Sequence, residues 1–135
     1  FLGLGWSRLP VPTWPKIAGF CFCRRPARHS MTTQQINGVS VATQANVYFD
    51  GKCVSHGITF PDGTKKSVGV VLPATLCFGT NTAEVMECVA GSCEYKLAGS
   101  ADWAHCGPGE QFSVPGNTQF DIRVSDTFHY ICHYG

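Results

Sequence analysis

Charge is scarce in this chain: only 14% of its 135 residues are Asp, Glu, Lys or Arg. Other features are missing with it. No apolar run reaches the ~18 to 20 residues that a membrane-spanning helix needs, so no membrane partner is expected. No stretch repeats apolar residues at helical period over a useful length, which excludes a helical bundle. Acidic residues are absent from residues 1–30, which carry Arg8, Lys16, Arg24, Arg25 and Arg28. Residues 31–135 hold five basic groups against nine acidic ones. They show no basic stripe with aromatics between the charges, so no nucleic-acid partner is expected.

A disulfide scaffold is also missing, although the chain has eight cysteines. No regular framework and no secretory signal accompany them. Cys77, Cys88, Cys93 and Cys132 lie in apolar, strand-like runs, where a free Cys acts as a small hydrophobe. Cys21-Phe-Cys23 lacks the second ligand pair that a zinc site needs. The thiols therefore read as free, and the compartment as reducing and cytoplasmic.

What is present is a β-rich body behind an unusual leader. Residues 1–30 contain Pro10, Pro12, Pro15 and Pro26 and no sustained period. Three readings stand: sequence upstream of a true start at Met31, a targeting leader, or an ordered extension. Four prolines count against the amphipathic helix of a transit peptide. Residues 31–45 form a lead-in, and residues 46–135 form the single folded domain.

Within the domain, short runs are separated by turn formers. They are Asn46–Asp50, Lys52–Phe60, Lys66–Leu72, Thr75–Thr80, Glu84–Ala90, Ser92–Leu97, Asp102–Cys106, Glu110–Val114, Gln119–Val124 and Thr127–Tyr134. Pro61–Thr64 reads as a hairpin turn, and Gly91, Gly99, Pro108-Gly109 and Pro115-Gly116 mark further corners. This spacing predicts an all-β fold of short antiparallel strands, a closed sandwich or a jelly-roll barrel.

Alternation orients several of these strands. Phe120, Ile122 and Val124 share a face, as do Leu76, Phe78 and Thr80. Glu84, Met86 and Cys88 oppose Val85, Glu87 and Val89, so both faces of that strand are mostly apolar. Such a strand is covered on both sides, by a second sheet or by a partner subunit, which points to a homodimer.

The spacing of Glu84, Gly91, Gly109 and Pro115 resembles that of the cupins. In that family a His-x-His pair precedes the Glu, six residues separate the Glu from a Gly, and a third His follows a Gly-x5-Pro-x-Gly turn. Here Phe78 and Thr80 stand at the first two histidine positions, Phe120 at the third, and Asn117 at the turn glycine. A lone carboxylate without imidazole partners does not hold a transition metal well, so no metal and no cofactor are expected.

A narrower likeness covers the body from Asn46 to Tyr134. "NVYFDGK", "SVGVVLP", "FGTNTAEVMECVAG", "DW", "GEQFSVPGNTQFDIRV" and "YICHY" follow each other as in the small cupin-type pyrimidine/purine nucleoside phosphorylases. Ala74 departs from that pattern at a common turn glycine, and residues 1–30 have no counterpart. The resemblance implies metal-free phosphorolysis of many purine and pyrimidine nucleosides. Nucleoside and inorganic phosphate would give free base and ribose 1-phosphate.

Positive charge builds on the sugar as the base leaves, so a carboxylate beside the ring is the first requirement. Glu84 is the candidate, against a purely structural role as a buried, paired Glu. Ser67 and Thr80 are candidate hydroxyl contacts, or else satisfied core hydroxyls. Phe78, Phe112 and Phe120 offer a stacking wall for the base, or plain core. Lys52, Lys65, Lys66, Arg123 and His133 are the phosphate donors to consider, with turn amides as the alternative. Arg123 is on the face opposite Phe120. His56, His105 and His129 show no ligand spacing.

Three other functions compete. A metal-dependent cupin enzyme would need an unusual ligand set. A non-catalytic small-molecule or sugar-binding cupin needs only the cavity. A structural module would fill that cavity with its own side chains.

Overall fold

The computed structural model describes residues 34–135. The expected extension over residues 1–30, with Cys21-Phe-Cys23 and the proposed start at Met31, lies outside the described residues. Every expected run holds a strand. The elements are β1 (Ser40–Val41), β2 (Asn46–Tyr48), β3 (Cys53–Thr59), β4 (Lys65–Val71), β5 (Ala74–Thr80) and β6 (Glu84–Gly91), followed by β7 (Cys93–Leu97), β8 (Ala104–Cys106), β9 (Gln111–Val114), β10 (Thr118–Val124) and β11 (Phe128–Tyr134).

Two details differ from the sequence reading. β1 is too short to carry alternation, and it forms because Ser40 and Val41 pair with Thr59 and Ile58 of β3. The run expected through Asp50 stops at Tyr48. Phe49, Asp50 and Gly51 then turn with φ of 52°, 55° and 90°. For the two non-glycine residues such backbone costs about 1–3 kcal/mol each.

The strands form two antiparallel sheets. The larger runs β1-β3-β4-β11-β6-β9, with β2 also on β3, and the smaller runs β5-β10-β7-β8. Between β3 and β4 the Pro61–Thr64 turn closes as expected. The Phe60 N–H donates to the Thr64 carbonyl and the Gly63 N–H to the Phe60 carbonyl, each at 2.9 Å.

The inward residues of the two sheets make the core. Phe128, Ile122 and Val71 are fully enclosed, with Val114, Val124, Leu76 and Met86 packed around them. Burying each such side chain contributes about 1.5–3 kcal/mol. Phe120, Ile122 and Val124 do share the buried face of β10. On β6 the two faces diverge: Met86 and Cys88 are buried, whereas Glu87 on the outer face is half-exposed and pairs with His133 at 2.8 Å.

All six described cysteines are free thiols, and only Cys77 is exposed. Burial, with Cys106 and Glu110 nearby, pushes the Cys88 thiol up to about 11. Cys93 is raised as well, first by burial and then by Cys106. Such thiols stay protonated and inert, as small apolar side chains do.

The motif corners have backbone reasons. Gly91 has φ +71°, and a Cβ there would run into the Thr127 carbonyl. Asn117, at the position of the cupin turn glycine, adopts φ 53°, a conformation that Asn tolerates better than most residues. Gly91→Ala is expected to destabilise the domain by at least about 1 kcal/mol, a drop of ~4–8 °C in Tm for a domain of roughly this size. Gly57→Ala, whose Cβ would meet only Ala42 at 3.9 Å, is the control. Equal melting of the two variants would contradict this reading of the corner.

Candidate functional site

β11 lies between β4 and β6, and its alternation sends Phe128, Tyr130 and Cys132 to the interior and puts Tyr134, which stays 46% exposed, on the same face. β4 adds Ser67 opposite Cys132, and β6 adds Glu84 opposite Tyr134. From the facing sheet, β5 and β10 pair Phe78 directly with Phe120. These side chains enclose one end of the sandwich around a cavity of about 140 Å³. Tyr48, Ser55, Gly79, Met86 and Tyr130 complete its lining.

Four of the six residues expected from the sequence line this cavity: Glu84, Ser67, Phe78 and Phe120. The other two sit just behind it. The Thr80 hydroxyl donates to the Pro115 carbonyl at 2.7 Å and accepts from the Thr118 N–H at 3.2 Å, tying the β9–β10 corner to the end of β5. Phe112 stacks on Tyr95 at 3.9 Å between centroids and meets Phe120 edge-on at 5.9 Å. It backs Phe120, which in turn stacks on Phe78 at 5.6 Å.

The polar groups are almost all uncharged. Ser67 Oγ and the Tyr134 hydroxyl share a hydrogen bond of 2.9 Å. The Tyr130 hydroxyl lies 3.5 Å from Cys53 Sγ. Its ring requires Gly69 across the sheet, because a Cβ there would come within 2.8 Å of it. Burial raises Tyr134 to about 12, so it remains a hydroxyl donor at neutral pH.

Among the described residues, Glu84 is the single carboxylate of the lining. Burial lifts it above the ordinary carboxyl range, and the Cys132 thiol, donating to Oε2 at 3.6 Å, opposes that only in part. Burial and then the neighbouring Glu84 push Cys132 itself up to about 12. The cavity thus offers one negative charge, several hydroxyl donors and an aromatic wall.

Among the described residues, no Lys, Arg or His lines this cavity. Lys65 and Lys66 border a shallower depression that shares Ser67 and Tyr134 with it. His133 borders another that shares Glu84 and Tyr134. Arg123 is on the outer face, bonded to Glu94 at 2.7 Å and 4.4 Å from the Trp103 ring centre. Lys52 is exposed. Among the described residues, no group of three His, Cys, Asp or Glu side chains is placed to hold a metal ion.

The tyrosines are the residues that sequence reading left out. The period of two in "FHYICHY" carries the signal: it puts Tyr130, Cys132 and Tyr134 on the face of buried Phe128. A larger depression of about 600 Å³ lies on the outer face of the big sheet, lined by Val54, Val68, Val70, Val89 and Ile131 among others. Its described lining holds no carboxylate and no cluster of convergent hydroxyls, so the interior cavity is the candidate site.

Comparison with known proteins bears on the family and the fold. Residues 43–134 match the family model described as pyrimidine/purine nucleoside phosphorylase. A relative from Acidovorax sp. (strain JS42), named pyrimidine/purine nucleoside phosphorylase, is 72% identical over 105 residues, which are 78% of this chain and all of that protein. A solved structure from Acinetobacter sp. ADP1 is 42% identical with a TM-score of 0.74, covering 75% of this chain and 98% of its own. The Clostridium difficile EutQ structure, at 14% identity and a TM-score of 0.53 over 61% of this chain and 67% of its own, shares the cupin-type fold alone.

The raised Glu84 carboxyl has a consequence for stability. A folded state that holds this proton more tightly than the unfolded chain gains from it fully below the ordinary carboxyl value. That gain is lost as pH rises through the raised value. Glu84→Gln should therefore melt at or above wild type at pH 7, with the difference shrinking in acid. A variant clearly less stable than wild type at pH 7 would instead make the Glu84 carboxylate a structural partner.

Proposed function

The chain belongs to the pyrimidine/purine nucleoside phosphorylase family, and from that premise we propose that it splits purine and pyrimidine nucleosides with inorganic phosphate. The products are free base and ribose 1-phosphate, over a broad range of bases. The observation that carries this reading is the convergence of Glu84, the Ser67–Tyr134 hydroxyl pair and the Phe78–Phe120 wall on one cavity.

A phosphate oxygen bonds to C1′ of the ribose while the glycosidic bond breaks and its electron pair leaves with the base. The sugar becomes cationic in between. Ionised Glu84, in a site of low dielectric, stabilises that charge and accepts hydrogen bonds from the ribose hydroxyls. The Ser67–Tyr134 pair supplies neutral donors to the incoming phosphate, with Lys65 and Lys66 in the adjoining depression. Phe78 and Phe120 support the base side of the substrate, since a π-face accepts any base. Thr80 and Phe112 are positioning residues: the first fixes the corner before β10, the second holds Phe120. The reaction uses no metal and no cofactor, as Phe78, Thr80 and Phe120 occupy the places of imidazole ligands.

The protein acts as a homodimer in a reducing cytoplasm. Five buried free thiols fit that compartment. The outer face of the large sheet, with Val54, Val68, Val70 and Val89 presented together, fits a second copy related by two-fold symmetry.

Two measurements test this. Uridine and inosine incubated with the protein in chelator should each release free base only when phosphate is added. Glu84→Gln should lower that rate by roughly 10²–10³-fold, the usual cost of losing one preorganised electrostatic contact. Base release without phosphate would make the protein a nucleoside hydrolase instead, and none at all from folded protein would leave a binding cupin as the better description. Sedimentation should give a dimer for wild type and a monomer for Val70→Asp; a monomeric wild type would exclude the second copy.

A further inference from the structure

The interior cavity holds about 140 Å³, well under the roughly 300–1,000 Å³ of pockets that enclose a drug-sized ligand. A nucleoside with its sugar beside Glu84 therefore leaves its base at the rim. The rim carries the strained turn Phe49–Gly51.

In a regular strand, consecutive side chains point to opposite faces. Tyr48 ends β2 and lines the cavity. Phe49, the next residue, should turn away. Its left-handed φ of 52° instead brings its ring edge-on against Phe78, another lining residue, at 5.0 Å and 81°. Two neighbouring aromatics thus serve one opening. A bulky residue at positive φ is a genuine backbone outlier, and strain of this kind concentrates at ligand clamps. Nor is Phe49 simply core, because 42% of it remains exposed, as does 47% of Tyr48.

We propose that Phe49 is the platform on which the nucleobase stacks, with Tyr48 as the neighbouring wall. The inference rests on the phosphorylase reading and adds to it the residue that grips the base. Phe49 continues a line of rings, Phe49–Phe78–Phe120–Phe112, from the opening into the core, and the positive φ aims it there. Stacking on a ring does not read the base edge, so a single Phe serves purines and pyrimidines alike.

The test is equilibrium binding of uridine, inosine and ribose 1-phosphate to wild type, Phe49→Leu and Phe49→Tyr, followed by calorimetry. Leu keeps apolar contact with Phe78 but removes the ring face; Tyr keeps the ring. Phe49→Leu should weaken both nucleosides by roughly 5- to 100-fold, the loss of one base–aromatic stack. It should leave ribose 1-phosphate, which has no base, within about two-fold, a threshold far below one stack. Phe49→Tyr should bind like wild type.

Equal weakening of nucleosides and ribose 1-phosphate would make Phe49 a structural residue and overturn the proposal. So would unchanged nucleoside affinity in Phe49→Leu, failure of Tyr to restore it, or wild type that binds no nucleoside. Wild type that binds nucleosides in the expected pattern but releases no base with phosphate would overturn the phosphorylase reading and leave the platform standing.

Discussion

The register of β11 between β4 and β6 is the constraint on which the site depends. It sets Cys132 beside Ser67 and Met86, and Tyr134 beside Glu84. Because side chains alternate, a slip of one residue on either side would turn Tyr130, Cys132 and Tyr134 outward and bring His129 and His133 into the core. The apolar partners of Phe128 oppose that slip, and so does Gly69, which makes room for the Tyr130 ring. The polar cavity is thus held in place by the packing below it.

The spacing of a metal cupin persists here for the same kind of reason. Glu84 and Gly91 bound β6, and Gly91 is required by its φ and by the Thr127 carbonyl rather than by any ligand. Phe78 and Phe120 face each other because β5 and β10 pair in register from Thr80↔Thr118 to Ala74↔Val124. Those positions converge on one point whatever side chains they carry. In this chain they bring an aromatic wall to a carboxylate, which suits a cationic sugar and a departing base.

Much of this was legible in the sequence, because turn formers separate the runs and the runs alternate. The ten expected strands, the inward face of β10 and four of the cavity residues follow from those two signals. β1 was not legible, since two exposed residues have no period and pair only because β3 is there. Thr80 is inward, as its alternation implies, but its hydroxyl is engaged by the corner at Pro115 and Thr118, and no local pattern shows that. The turn at Phe49 was hidden because nothing in the letters marks a Phe for positive φ. Tyr130 and Tyr134 are legible in the period of two of β11, although the sequence reading names neither as a contact.

A crystal structure of the protein with a bound nucleoside is the most direct test of a ribose seated at Glu84, inside the sandwich. The sugar hydroxyls should lie within hydrogen-bond distance of the Glu84 carboxylate, with the Ser67–Tyr134 pair next to C1′ and the base at the rim. A nucleoside bound in the outer valine-lined depression, with the interior cavity holding none of it, would contradict that placement.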